Sequence, residues 1–219
     1  MITVFLDLDG TLSDSAPGIT RSMQHALAAM GAPVPEADAL RWCIGPPLRD
    51  NLRALLGPGA DIEAAAGHFH HRYGTIGWQE NALYDGVPEM LDALVASGCT
   101  LHLATSKSRR HAERIVAHFG IRPRLGAVFA ANDDGTGSEK PDLLAHALRE
   151  TGTDPARAVM LGDREHDMKG AAANAIAGIG ALWGFGNAAE LTGAGAQALA
   201  ASPAEAAGLI LARIAAAGA

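Results

Sequence analysis

Asp7-Leu8-Asp9-Gly10-Thr11-Leu12 follows directly on the apolar run Ile2-Thr3-Val4-Phe5-Leu6, and the reading of that junction decides the fold. A short apolar run bounded by a turn signal reads as a buried strand. Residues i and i+2 of a strand point to the same side, so Asp7 and Asp9 converge where the chain turns out at Gly10. Two acids in one small volume suit a divalent cation and a phosphate. One carboxylate can attack phosphorus as a covalent nucleophile, while its neighbour protonates the leaving oxygen and afterwards activates water. The same residues also fit an ordinary exit from a strand into a turn, and the motif alone does not separate the two readings.

Three further signals occur at expected strand ends. Thr105-Ser106 closes the run Leu101-His102-Leu103-Ala104. A hydroxyl and the amides of the next turn would donate to a phosphate oxygen there, although the pair also suits the N-cap of a helix running to Phe119. Lys140, in Ser138-Glu139-Lys140-Pro141-Asp142, stands just ahead of a helix expected from about Asp142. It would neutralise charge developing on a phosphoryl group; a solvated surface lysine is the plainer alternative. Gly162-Asp163-Arg164-Glu165-His166-Asp167 follows the run Ala158-Val159-Met160-Leu161. Its Asp163 and Asp167, four residues apart, can address one metal from a turn and a helix start, or simply cap the helix.

In this order DLDGTL, LATS, EKP and GDREHD resemble the four motifs of the haloacid dehalogenase superfamily, over nearly the whole chain. The second acid of the first motif resembles the phosphotransferase form, since the dehalogenases lack it. The resemblance implies a Rossmann-like α/β core, a doubly wound parallel sheet, with a small helical cap inserted after the first strand. It implies phosphatase chemistry on a small phosphorylated metabolite. Asp7 then corresponds to the nucleophile that forms an aspartyl-phosphate, and Asp9 to the general acid and base. Asp7, the backbone carbonyl of Asp9 and Asp163 correspond to the protein ligands of Mg²⁺, with Asp167 supporting them. Thr105 and Lys140 correspond to the phosphate binders, and Ser106 and Gly10 adjoin them in the substrate-binding set. Hard oxygen donors are what Mg²⁺ prefers, and no Cys/His cluster in the sequence offers a softer site. Asp134-Gly135-Thr136 and Trp183-Gly184-Phe185-Gly186 further resemble the phosphoglycolate phosphatase-like branch and its nucleotidase relatives. A nucleotidase, a pyrophosphatase and a phosphosugar mutase are the alternatives; a non-catalytic binding protein would be expected to have lost one of these motif residues.

Composition bounds this reading. The chain has 219 residues, 48% hydrophobic and 19% charged, with 24 acidic residues against 17 Lys and Arg for a net charge of -7. That is normal for a folded protein with one substantial core and a small second domain, and it argues against a nucleic-acid footprint. No uncharged stretch reaches the roughly 20 residues that span a bilayer, no basic start precedes an apolar signal segment, and Cys43 and Cys99 suggest no disulfide framework. A cytoplasmic protein, monomer or homodimer, with neither nucleic acid nor membrane as partner, is expected.

Alternation of strand and helix signals from Asp85 onward argues for the parallel sheet, with residues 1–14 and 84–219 as its domain. Helices are expected over 87–96, 110–119, 141–150, 167–174 and 203–216. Strands are expected over 100–104, 127–131, 158–161, 177–182 and 196–199. Residues 15–83 read as helices punctuated by Pro33, Pro35, Pro46, Pro47 and Pro58, and form the cap. Arg21, Arg49 and Arg53 are its candidate selectors of substrate. Arg49 comes first because it follows the rigid turn Ile44-Gly45-Pro46-Pro47, though a solvated helix arginine is equally compatible. His68, His70 and His71, without an acid or Cys partner, read as cap surface.

Overall fold

The computed structural model describes residues 2–217, so Met1, Gly218 and Ala219 at the ends of the expected core domain lie outside the described residues. The chain divides into two compact units, one running to Ser13 and from Leu83 onward, the other Asp14–Ala82. The first begins with β1 (Thr3–Leu6). The chain leaves it through β2 (Ser13–Asp14) and returns through β3 (Ala82–Leu83), two short strands that pair with each other.

Between these strands the smaller unit carries α1 (Ala16–Ala29), α2 (Leu48–Leu56) and α3 (Ile62–Thr75), with 3₁₀ turns at Ala37–Cys43 and Gly77–Gln79. The helical character read over 15–83 is thus what the chain adopts. Asp61 caps α3 by accepting from the Ala64 amide at 3.0 Å. A Cβ on Gly18 of α1 would lie 2.0 Å from the Gly77 carbonyl oxygen, so backbone meets backbone there and only glycine fits. Arg72 and Arg21 both grip Glu80, each at 2.8 Å, closing the unit on itself.

The larger unit continues with α4 (Val87–Ala96), β4 (Thr100–Ser108), α5 (Arg109–His118), β5 (Ala127–Ala131), α6 (Lys140–Thr151), β6 (Ala158–Gly162), α7 (Glu165–Ala173), β7 (Ala177–Ala181), α8 (Ala188–Gly193), β8 (Ala198–Ala200) and α9 (Pro203–Ala217). Its six strands form one sheet in the order β5-β4-β1-β6-β7-β8. Every pairing is parallel. Sheets of this kind are covered on both faces, which is why β1 and β6 read as unbroken apolar runs; Val4, Phe5, Leu6, Val159, Met160 and Leu161 are fully buried. On one face Phe5, Phe129 and Met160 pack with Leu143 and Leu144 of α6 and Ala171 of α7. The chain proceeds outward from β1 in both directions, so β1 is the switch point at whose carboxyl end such sheets bind ligands.

Several details depart from the sequence expectations, among them the short strands β2 and β3. Strand β4 runs past Ala104 to Ser108, with its register to β5 shifting between Thr105 and Ser108. Lys140 is the first residue of α6 rather than a residue ahead of it, because Pro141 is tolerated in a first helical turn. Helix α8 was not expected from the Ala/Gly-rich sequence; the Asn187 side chain caps it by accepting from the Glu190 amide.

The end of α7 carries a local strain. Ala175 has φ 55°, while its amide and that of Ile176 donate to the carbonyls of Ala172 and Ala171. This is a Schellman closure, whose left-handed position normally holds glycine. Ala175→Gly is therefore expected to stabilise the protein by about 0.5–1 kcal/mol, roughly 1–4 °C in a thermal melt. An unchanged or lowered Tm would contradict this.

Candidate active site

β1 lies between β4 and β6 with Leu6 opposite both Leu103 and Leu161. The Asp7 amide extends that ladder by donating to the Leu161 carbonyl at 3.0 Å. The three strands therefore release Asp7, Thr105 and Asp163 at one edge of the sheet. Asp7, Asp163 and Asp167 each offer a carboxylate oxygen to a group whose members lie within 4.8 Å of one another. Lys140, at the start of α6, reaches the same point. Its Nζ is 2.9 Å from Asp7 Oδ1, 2.7 Å from Asp167 Oδ1 and 2.9 Å from the Ala104 carbonyl oxygen.

All four charged residues are buried. Burial raises the Asp7 carboxyl to about 6, with Lys140 opposing the shift and Asp167 and Asp9 adding to it. Burial likewise pushes Asp163 well above the usual carboxylate range, helped by Asp167 and Asp7 and opposed by hydrogen bonds from the Phe185 amide and Thr11. Burial alone would depress the Lys140 ammonium, but Asp167 and Asp7 more than offset it and its pKa is held above the ordinary value. Fully ionised, three carboxylates against one ammonium would leave an excess of two negative charges in a desolvated place. A hard divalent cation matches both that excess and the all-oxygen donor set.

Two glycine-dependent approaches hold this cluster together. Gly10 has φ +86°, and a Cβ there would lie 2.2 Å from Asp163 Oδ2. Its amide donates to the Ser13 carbonyl at 2.8 Å, so the turn already uses the amide that a phosphate would have met. What Gly10 contributes in this structure is room for Asp163. From the other side comes Trp183-Gly184-Phe185-Gly186. A Cβ on Gly184 would lie 2.3 Å from the Gly10 carbonyl oxygen, and one on Gly186 would lie 2.0 Å from that of Asp163. The Phe185 amide donates to Asp163 Oδ2 at 2.8 Å, Thr11 Oγ1 to Asp163 Oδ1 at 3.1 Å, and Trp183 Nε1 to the Thr11 carbonyl at 3.0 Å. Residues 183–186 thus tie the first turn of the chain to Asp163. The sequence placed this loop beside the site without showing that it is bonded to it.

The remaining expected residues fall in distinct places. Thr105 is buried, with its Oγ1 accepting from the Lys107 amide at 3.3 Å. Ser106 Oγ donates to the Ser138 carbonyl at 2.7 Å, lacing the β4 exit to the loop before Lys140. Asp9 is not a member of the group of three carboxylates; its Oδ2 lies 2.6 Å from Lys107 Nζ. Lys107 was not singled out in the sequence, although it directly follows Thr105-Ser106. Arg49 belongs to α2 of the smaller unit, where Glu63 grips its Nε and Nη2 at 2.7 and 2.9 Å. Arg53 pairs with Asp50 on the same helix. Among the described residues, no His belongs to a group of three or more potential metal ligands.

Residues 4–181 match the model of the haloacid dehalogenase-like hydrolase family. The chain is 45% identical over 185 residues to tyrosine-protein kinase PtkA of Mycobacterium tuberculosis, a match that covers 84% of this chain and 63% of that protein, so the chain spans less than two thirds of that relative. It is 41% identical to a 5'-nucleotidase of Pseudomonas aeruginosa over 86% of both proteins. It is 30% identical to a phosphoglycolate phosphatase of Xanthomonas campestris pv. campestris over 83% of both. Among solved structures, a predicted phosphatase from Clostridium acetobutylicum superposes with a TM-score of 0.91 at 34% identity, covering 96% of this chain and 98% of that one.

Proposed function

The chain belongs to the haloacid dehalogenase-like hydrolases, and from that premise we propose that it is a phosphoric monoester hydrolase, which cleaves a small phosphorylated metabolite with Mg²⁺ through an aspartyl-phosphate on Asp7. The observation that carries this reading is Asp7 itself. It is a buried carboxylate at the switch point of the sheet, gripped by Lys140 and within a few ångströms of two more acids.

Asp7, the backbone carbonyl of Asp9 and Asp163 would hold Mg²⁺, supported by Asp167; the bound ion supplies Lewis-acid neutralisation of phosphoryl oxygens. The chain's own residues do the rest. An Asp7 oxygen attacks phosphorus, the bond from phosphorus to the leaving oxygen breaks, and that oxygen takes a proton from Asp9 to depart as an alcohol. Water then attacks the aspartyl-phosphate and passes a proton to Asp9. The bond from phosphorus to Asp7 breaks, releasing inorganic phosphate and regenerating both carboxyl groups in their starting forms. Lys140 and the Thr105 hydroxyl hold the phosphoryl oxygens throughout. Selection of the leaving group belongs to residues 15–83, where Arg49 would exchange Glu63 for an anionic substrate. A cytoplasmic site of action is part of the same reading, resting on the two buried thiols of Cys43 and Cys99, neither in a disulfide. No helix among the described residues is long and apolar enough to cross a membrane.

The nucleotidase relative makes nucleoside monophosphates the first substrates to assay, with 2-phosphoglycolate, sugar phosphates and pyrophosphate beside them. Phosphate release is expected from one class, abolished by EDTA and restored by added Mg²⁺. Undiminished turnover in chelator would reject the metal assignment, and no release from any substrate would reject hydrolysis. The similarity to PtkA favours a second reading, in which a tyrosine hydroxyl replaces water as the phosphoryl acceptor. Transfer from ATP to a tyrosine peptide, with no release from the monoester panel, would select it.

A further inference from the structure

Lys107 lies in the segment of β4 where the register to β5 shifts, between Thr105 and Ser108. Irregularities of this kind beside active sites re-aim a side chain that a regular strand would send elsewhere. Here the side chain crosses 98 positions of sequence to place its Nζ 2.6 Å from Asp9 Oδ2, with the two side chains only 8% and 13% exposed. Its backbone is fixed as well. The Lys107 amide donates to Thr105 Oγ1, and the neighbouring Ser106 Oγ is bonded to the Ser138 carbonyl. The other oxygen of the same carboxylate, Asp9 Oδ1, is buried with no hydrogen-bond partner among the described residues. One oxygen of Asp9 is therefore pinned and the other is left over.

We propose that Lys107 is a positioning residue, which holds Asp9 by Oδ2 so that Oδ1 is the atom that gives its proton to the leaving oxygen and later takes one from water. This rests on Asp9 being the general acid and base of a hydrolase. A carboxyl free to rotate would spend much of its time with neither oxygen aimed at the ester, and misplacement of about 1 Å in such a group costs on the order of 100-fold. The cost falls on substrates whose leaving oxygen needs a proton. An alkoxide departs only as the alcohol, whereas 4-nitrophenolate departs as a stable anion.

The test is the ratio of two turnover numbers. Lys107→Met and wild type are assayed with 4-nitrophenyl phosphate and with whichever alkyl ester of the panel the wild type hydrolyses. The substitution is expected to lower kcat for the alkyl ester about 100-fold and for 4-nitrophenyl phosphate less than tenfold, with KM for both within about threefold. Lys107→Arg, which keeps the charge, is expected to recover most of the loss. A Lys serving only to stabilise the fold would move both substrates together, so equal losses, or no loss, overturn the proposal. Should Lys107→Met fail to fold, Lys107→Leu removes the donor on a shorter stem and is read by the same ratio. An active wild type with an unchanged ratio defeats the role of Lys107 alone. A wild type inactive on both substrates defeats the hydrolase reading and this proposal with it.

Discussion

Asp7→Asn is expected to lower phosphate release by about 10⁴-fold or more while leaving the protein folded. The amide is nearly the shape of the carboxylate but cannot attack phosphorus, so no aspartyl-phosphate forms and the main route is closed. The fold should tolerate the change. Lys140 keeps Asp167 at 2.7 Å and the Ala104 carbonyl at 2.9 Å, and an asparagine oxygen can still accept its third contact. One of three crowded carboxylates also disappears, which relieves repulsion in the cluster. Circular dichroism and a thermal melt establish the fold, and intact mass after a brief exposure to substrate detects the phosphorylated protein. A variant that still turns over at the wild-type rate, or still gains the mass of a phosphoryl group, would remove Asp7 from the chemistry.

What the sequence disclosed and what it hid follow one physical division. The strands around Asp7, Thr105 and Asp163 were legible because a fully buried parallel strand is an uninterrupted apolar run, and each ends in polar residues where the chain meets solvent or ligand. Lys140 was singled out through Glu139-Lys140-Pro141, but it was placed ahead of the helix that in fact begins with it. Contacts set only by the assembled sheet were not legible. The bond from Lys107 to Asp9 depends on a register shift that no local pattern announces. The bond from the Phe185 amide to Asp163 joins two loops that leave neighbouring strands. Gly184 and Gly186 could be read as turn residues, but the backbone contact that forbids a Cβ needs both loops in place. Helix α8 was missed because its six residues lie within an Ala/Gly-rich stretch with little periodic contrast. Ala175 occupies a position whose usual marker, glycine, is absent. Arg49 shows the converse limit: its rigid flanking turn was visible, but Glu63 as its partner was not.

Lys140→Met is expected to be the most destabilising single change in the candidate site. Lys140 is 4% exposed, and its ammonium is the partner of both Asp7 and Asp167. Removing it leaves two desolvated carboxylates facing Asp163 with no protein cation between them, a loss of about 3–5 kcal/mol. In a domain of this length that corresponds to a fall in Tm of roughly 6–20 °C. The pH dependence gives the prediction a direction. Asp7 and Asp163 have folded-state pKa values above their ordinary ones, so protonation favours the folded form, and stability is lost as pH rises through the folded pKa, about 6 for Asp7. Without Lys140 the lowering influence on Asp7 is gone and its pKa moves further up. Melts in EDTA should therefore show the deficit of Lys140→Met growing from pH 5 to pH 8. Added Mg²⁺ should recover part of it at pH 8, because a bound cation returns positive charge to the same carboxylates and stabilises by mass action. A deficit independent of pH and untouched by Mg²⁺ would mean that Lys140 acts through packing of its stem rather than through charge, and would separate it from the metal site.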